Sequence, residues 1–238
     1  MGCTIPVSEI HFLARLADIA LQNKTNEARH YVRIEASDGS VRADVCNGED
    51  SASCQLLAEG EIVAAIPAKV VHKFAARDAD LYLENDGDSV SFKQGPTSGT
   101  FQSVDPGTIP QHDCPDISSA PSFDGETLRA AVKTAAACAD SGAGSRFALN
   151  GAQFMLTGDS MSVTGTDGRK VFSVDVSCDS TGEFSVIVPA KSLKNIQHMK
   201  SQTFKIAANA RSITFSDGTT SYTSSLLQGR FPDVNKLL

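Results

Sequence analysis

The stretch SVIVPAK, residues 185–191, is an apolar run that ends in Pro-Ala-Lys, and VAAIPAK, residues 63–69, writes the same pattern earlier in the chain. Pro189 lies 122 residues after Pro67, and Lys191 lies 122 after Lys69. The likeness continues downstream. Val90, Phe92, Gly95 and Thr97 of SVSFKQGPT return as Ile213, Phe215, Gly218 and Thr220, each 123 later. Gly107, Ile109 and Pro110 return as Gly229, Phe231 and Pro232, 122 later. Ordered matches at nearly one offset mean two copies of one domain, since solenoid repeats have periods of only about 20–50 residues.

Each copy reads as strand, helix, strands, helix, strands. In residues 9–21, Ile10, Leu13, Leu16, Ala17 and Ala20 have helical spacing, and Leu128, Ala131, Val132 and Ala135 do the same in residues 125–139. Ser8 and Asp124 are the expected caps. A second short helix should follow each Pro-Ala-Lys, with Pro67 and Pro189 at its first position, where the missing N–H costs nothing. YVRIEAS, VRADV, SVSFKQ and RKVFSVDVS alternate like strands. The expected fold class is α+β: two tandem domains, each with two helices packed on antiparallel sheets. The Pro- and Ser-rich stretch 110–122 marks the join, giving domains at 1–117 and 118–238.

Composition narrows the function. No apolar run reaches the roughly 18 residues of a membrane helix, and MGCTIPVSEIH lacks the n- and h-regions of a secretory signal, so a cytoplasmic protein without membrane partners is expected. None of the six cysteines forms a CxxC pair, so reduced thiols are expected and no metal site. The five histidines have no metal spacing, and no P-loop, GxSxG or paired-carboxylate arrangement stands in context. We therefore expect no catalytic residues and no cofactor.

The net charge of −7 argues against nucleic acid unless the basic residues are gathered on one face. They are gathered in the helices: His11 and Arg15 in the first, Lys69, His72, Lys73 and Arg77 in the second, Arg129 and Lys133 in the third, Lys191, Lys194, His198 and Lys200 in the fourth. Most of the acid sits in turns such as NGEDS and ENDGD. With no Trp and three Tyr there is no stacking platform for single strands, so duplex contact through phosphates is the expected mode.

Four stretches, RFALNGAQF (146–154), SVTGTDGRKVF (162–172), SVIVPAKSL (185–193) and SSLLQGRFPD (224–233), resemble the bacterial sliding clamp, the beta subunit of the replicative DNA polymerase. Residues 61–112 are similar to that family's first domain, and 118–238 to its middle domain. The resemblance implies a non-enzymatic processivity factor of DNA-clamp domains, closed as a six-domain ring around double-stranded DNA. That family has three domains per chain, and two domains here imply a trimer. It also implies a groove for peptides of DNA polymerase and the clamp loader, carried here by Leu149, Thr166, Gly168, Arg169, Lys170, Val171, Pro232 and Leu237. Lys24 and Arg146 resemble positions that touch the DNA backbone, while Arg15, Lys73, Arg129, Lys133 and Lys194 are DNA-binding candidates by charge and placement. The alternative reading is a non-encircling clamp-derived interaction protein or clamp fragment. Strand edges separate the two: GTFQSVD (99–105) and TSYTSSL (220–226) are uncharged for six and seven residues, which favours pairing between subunits.

Overall fold

The structure is a computed structural model that describes residues 1–22, 30–139, 148–197, 199 and 201–234. The chain forms two compact units, Met1–His112 and Asp113–Leu238.

The first unit runs β1 (Gly2–Ile5), α1 (Val7–Leu21), β2 (Tyr31–Ser37), β3 (Ser40–Cys46), β4 (Asp50–Leu57), β5 (Glu59–Gly60), β6 (Ile62–Pro67), α2 (Ala68–Ala75), β7 (Leu81–Asn85), β8 (Ser89–Gln94) and β9 (Thr97–Gln102). One antiparallel sheet has the order β5-β1-β7-β8-β9. In the other, β4 pairs with β3, β3 with β2 and β2 with β6. Helices α1 and α2 pack on each other, and α1 also packs on β2, β3 and β4. Ile10, Leu13 and Leu16 supply the stripe that α1 buries, and Val71 and Phe74 that of α2. Phe74 meets Phe92 with ring centroids 5.0 Å apart, and burying such a ring is worth about 1.5–3 kcal/mol.

Gln94 holds the end of α2. It is completely buried, and its Nε2 donates to the carbonyls of Phe74 (3.0 Å) and Ala79 (2.9 Å). Gln94→Leu strands both acceptors in an apolar site, so a loss of about 2 kcal/mol is expected. The midpoint of urea unfolding measures it, and an unshifted midpoint would show that the two bonds contribute nothing.

The second unit runs β10 (Ser122–Asp124), α3 (Gly125–Cys138), β11 (Gly151–Thr166), β12 (Val171–Pro189), α4 (Ala190–Ile196), β13 (Thr203–Ala208), β14 (Ser212–Ser216) and β15 (Thr220–Ser225). It repeats the first with fewer, longer strands. Gly158, at φ 66°, and a register shift before Ser160 divide β11 into two arms. Gly151–Thr157 pairs with Glu183–Pro189, as β2 pairs with β6, and Ser160–Thr166 pairs with Val171–Ser177, as β3 pairs with β4. The register repeats too: Tyr31 faces Pro67 and Gly151 faces Pro189. Phe123, Phe154, Phe204, Phe215 and Tyr222 fill this core.

The antiparallel α+β architecture is the expected one, and three details differ. Ser8 does not cap α1. The cap position is Pro6, and Ser8 Oγ donates to Glu9 instead, because the helix begins one residue before Ser8. Pro67 and Pro189 occupy the cap position rather than the first helical turn, with ψ of 125° and 133° that continue the preceding strand. Asp124 does cap α3. Its Oδ2 accepts from Thr127 N at 2.8 Å and from Thr127 Oγ1 at 2.6 Å, and these bonds hold its carboxyl below the usual range.

Candidate functional site

Two surfaces carry the residues singled out in the sequence. The first is the solvent side of the helices. With Ile10, Leu13 and Ala17 inward, α1 turns His11, Arg15 and Asp18 outward. The Arg15 guanidinium lies 5.6 Å from the Phe12 ring centroid and is half-buried. On α2, Lys69 and Lys73 are exposed, and His72 Nε2 stands 3.3 Å from Asp18 Oδ1 across the helix pair. Arg77 turns back to donate to the Lys73 carbonyl. In the second unit, Lys133 on α3 and Lys191 and Lys194 on α4 are exposed. Among the described residues, Lys69, Lys73, Lys133 and Lys194 make no ion pair.

Arg129 is differently placed. Its Nη1 donates to the carbonyls of Met199 (3.2 Å) and Ser201 (2.5 Å), and the guanidinium lies 5.8 Å from the Phe204 ring centroid. It is half-buried and ties α3 to the segment entering β13. Lys24 and Arg146 lie outside the described residues, as do His198, Lys200 and Leu237.

The second surface surrounds the turn Thr166–Lys170. Asp167 Oδ1 accepts from the backbone N–H groups of Arg169 and Lys170, both at 2.9 Å, and these bonds hold its carboxyl below the usual range. Gly168 sits at φ 85°, which favours glycine. The side chain of Leu149 lies beside it: a methyl built on Gly168 would stand 3.9 Å from Leu149 Cδ1. Thr166 is wholly buried. Its Oγ1 donates to the Lys170 carbonyl (2.7 Å) and accepts from Gly168 N (3.0 Å), so it shapes the turn. Lys170 Nζ donates to the Ala137 carbonyl (3.3 Å) near the end of α3, where positive charge is favourable. Ala148 N donates to the Arg230 carbonyl (3.1 Å), which carries the segment before Pro232 past Leu149. Leu149, Thr166, Gly168 and Lys170 are thus brought together. Arg169 is exposed, and Val171 and Pro232 are half-buried.

Two features were not read from the sequence. The first unit has the same turn 120 residues earlier: Asn47 Oδ1 accepts from Glu49 N (3.0 Å) and Asp50 N (2.8 Å), with Gly48 at φ 95°. Its composition, NGED against DGRK, hides the equivalence and reverses the charge. The other is a groove in the second unit lined by Phe184, Val186, Ile187, Leu226, Leu227 and Arg230. The half-exposed alternation of Phe184 and Val186 in β12 was its only signal.

Two repeats of a helix pair on antiparallel sheets define the DNA-clamp class of fold. The family model for the DNA polymerase III beta subunit, central domain, matches residues 123–233. Beta sliding clamps of Chlamydia muridarum and Chlamydia trachomatis are 30% identical over 98 residues, 40% of this chain. That match spans about a quarter of the relatives' length, 27% and 24%. Among solved structures, the DNA polymerase III beta sliding clamp of Pseudomonas aeruginosa bound to griselimycin superposes with a TM-score of 0.90 and 18% identity. The match takes in 100% of this chain and 68% of that one. The beta clamp of Helicobacter pylori bound to a DNA ligase peptide gives 0.85 at 19% identity, over 100% of this chain and 70% of that one. Among the described residues, no group of His, Cys, Asp or Glu is placed to hold a metal ion, and no helix is long and apolar enough to cross a membrane.

Proposed function

We propose that the chain is a subunit of a non-enzymatic processivity clamp, which closes around duplex DNA and tethers a DNA polymerase and other replication proteins. Six clamp domains from three chains make the ring. The observation that carries this reading is the outward placement of Lys69, Lys73, Lys133 and Lys194, unpaired among the described residues, in a chain of net charge −7. Cations held on helices meet phosphates without reading bases, which suits sliding. The acid elsewhere keeps the rest of the surface from competing for DNA. The surface around Leu149, Gly168, Arg169, Val171 and Pro232 is the proposed docking place for partner peptides, where Thr166 and Lys170 act through the shape of the turn.

A topological test decides between encircling and one-sided contact. The protein is incubated with linear duplex at low salt, the two ends are blocked with bound streptavidin, and salt is raised. Retention on blocked DNA and release on unblocked DNA are expected of a ring. Equal release from both would overturn encirclement and leave the reading of a clamp-derived interaction protein.

A further inference from the structure

The chain holds two Asn-Gly pairs, Asn47-Gly48 and Asn150-Gly151. An asparagine before glycine can lose its side-chain amide without an enzyme. The following backbone nitrogen attacks Cγ, and glycine, which has no Cβ, leaves that nitrogen unshielded. A side chain fixed by hydrogen bonds cannot make this approach, so the fold decides which pair reacts.

The two pairs are held in opposite ways. Asn47 is 3% exposed, and both ends of its amide are engaged. Its Oδ1 accepts from Glu49 N (3.0 Å) and Asp50 N (2.8 Å), and its Nδ2 donates to the Ile19 carbonyl (2.9 Å). Asn150 is exposed, and its side-chain amide makes no hydrogen bond among the described residues. Its backbone carbonyl accepts from Ala190 N at 3.0 Å, which ties the start of α4 to the start of β11.

Packing demands the glycine that follows. A methyl built on Gly151 would stand 2.6 Å from the Val188 carbonyl oxygen, 2.7 Å from Leu227 Cδ1 and 3.0 Å from Ile187 Cγ2. The first unit makes the same joint without an Asn-Gly pair. There His30 stands in place of Asn150, and Ala68 N donates to its carbonyl at 2.8 Å.

We propose that Asn150 is a self-modification site of the folded protein. Gly151 N attacks Asn150 Cγ. A new N–Cγ bond forms, the Cγ–Nδ2 bond breaks, and the proton of the attacking nitrogen leaves with the amide as ammonia. Water then opens the cyclic imide at either carbonyl, giving aspartate or isoaspartate, with nothing oxidised or reduced. Either product adds one carboxylate to a chain of net charge −7. In the isoaspartyl product the main chain runs to Gly151 through Cβ and Cγ, and the carbonyl that receives Ala190 N becomes a free carboxylate beside the chain. The joint at α4 is thereby altered, and Pro189 at the cap position offers no side-chain bond to replace it.

The test holds the folded protein at mildly alkaline pH, with a second sample in urea, and then cuts both with trypsin. Peptides 43–69 and 147–169 each carry a single Asn, Asn47 and Asn150. In urea both peptides should convert to the acid. In the folded protein 147–169 should convert at least roughly tenfold faster than 43–69, because Asn47 must first break three hydrogen bonds. Electron-transfer fragmentation should find isoaspartate at position 150. Asn150→Gln should abolish the acidic species that isoelectric focusing separates from aged folded protein, with an unchanged circular dichroism spectrum. An amide at Asn150 that survives in the folded protein while converting in urea overturns the proposal. So do equal rates for the two peptides in the folded protein, or an acidic species undiminished in the Asn150→Gln variant.

Discussion

Gly165→Ala is expected to destabilise the second unit by about 3 kcal/mol, among the larger effects of a single added methyl group. At Gly165, β11 runs directly beneath α3. A methyl built there would stand 2.1 Å from the Ala135 carbonyl oxygen and 2.7 Å from its carbon. The obstacle is helix backbone, so no rotamer change relieves it, and α3 must lift from the strand. Lifting α3 exposes Leu128, Val132 and Ala135, the stripe it buries. Gly158→Ala is the control. Nothing lies within 4 Å of its added methyl, and the cost there is the strain of φ 66°, about 1 kcal/mol. Urea unfolding of the two variants compares them, and equal midpoints would show that the contact between α3 and β11 gives way easily.

Lys73→Glu together with Lys194→Glu is expected to weaken association with long duplex DNA by roughly tenfold or more at low salt, because each lost phosphate contact removes about 0.9 from the slope of log affinity against log salt. The fold should survive. Both lysines are exposed, and neither makes an ion pair among the described residues. Filter binding across a salt series, beside circular dichroism, gives both readouts. Unchanged DNA association in a folded double variant would remove the basic helix faces from the mechanism.

Arg129 shows where charge counting fails. On the sequence it is one more cation on a basic helix. In the fold it is held by carbonyls 70 and 72 residues away, at Met199 and Ser201, and it lies over Phe204. Its acceptors come from a different element, so no local pattern announces them. Thr166 is similar. The resemblance places it in a peptide groove, yet with no exposed surface its hydroxyl serves Lys170 and Gly168. The cap of α3 was legible because Asp124 bonds within its own turn, whereas Ser8 misled because the start of a helix shifts by a residue without changing its apolar stripe.

The sequence by itself determined what depends on local spacing and on repetition. The 122-residue offset between Pro67 and Pro189, the apolar stripes of α1 and α3, and the alternation in β7 and β8 specify two α+β domains of one kind, because period and burial are properties of neighbouring residues. Only the tertiary structure decided which cations face outward, and that two turns as unlike as NGED and DGRK share one geometry. It also decided that, among the described residues, β9 is the last strand of its sheet. These depend on which distant segment supplies a carbonyl, a strand or a helix face, and the chemistry of that partner is written elsewhere in the chain.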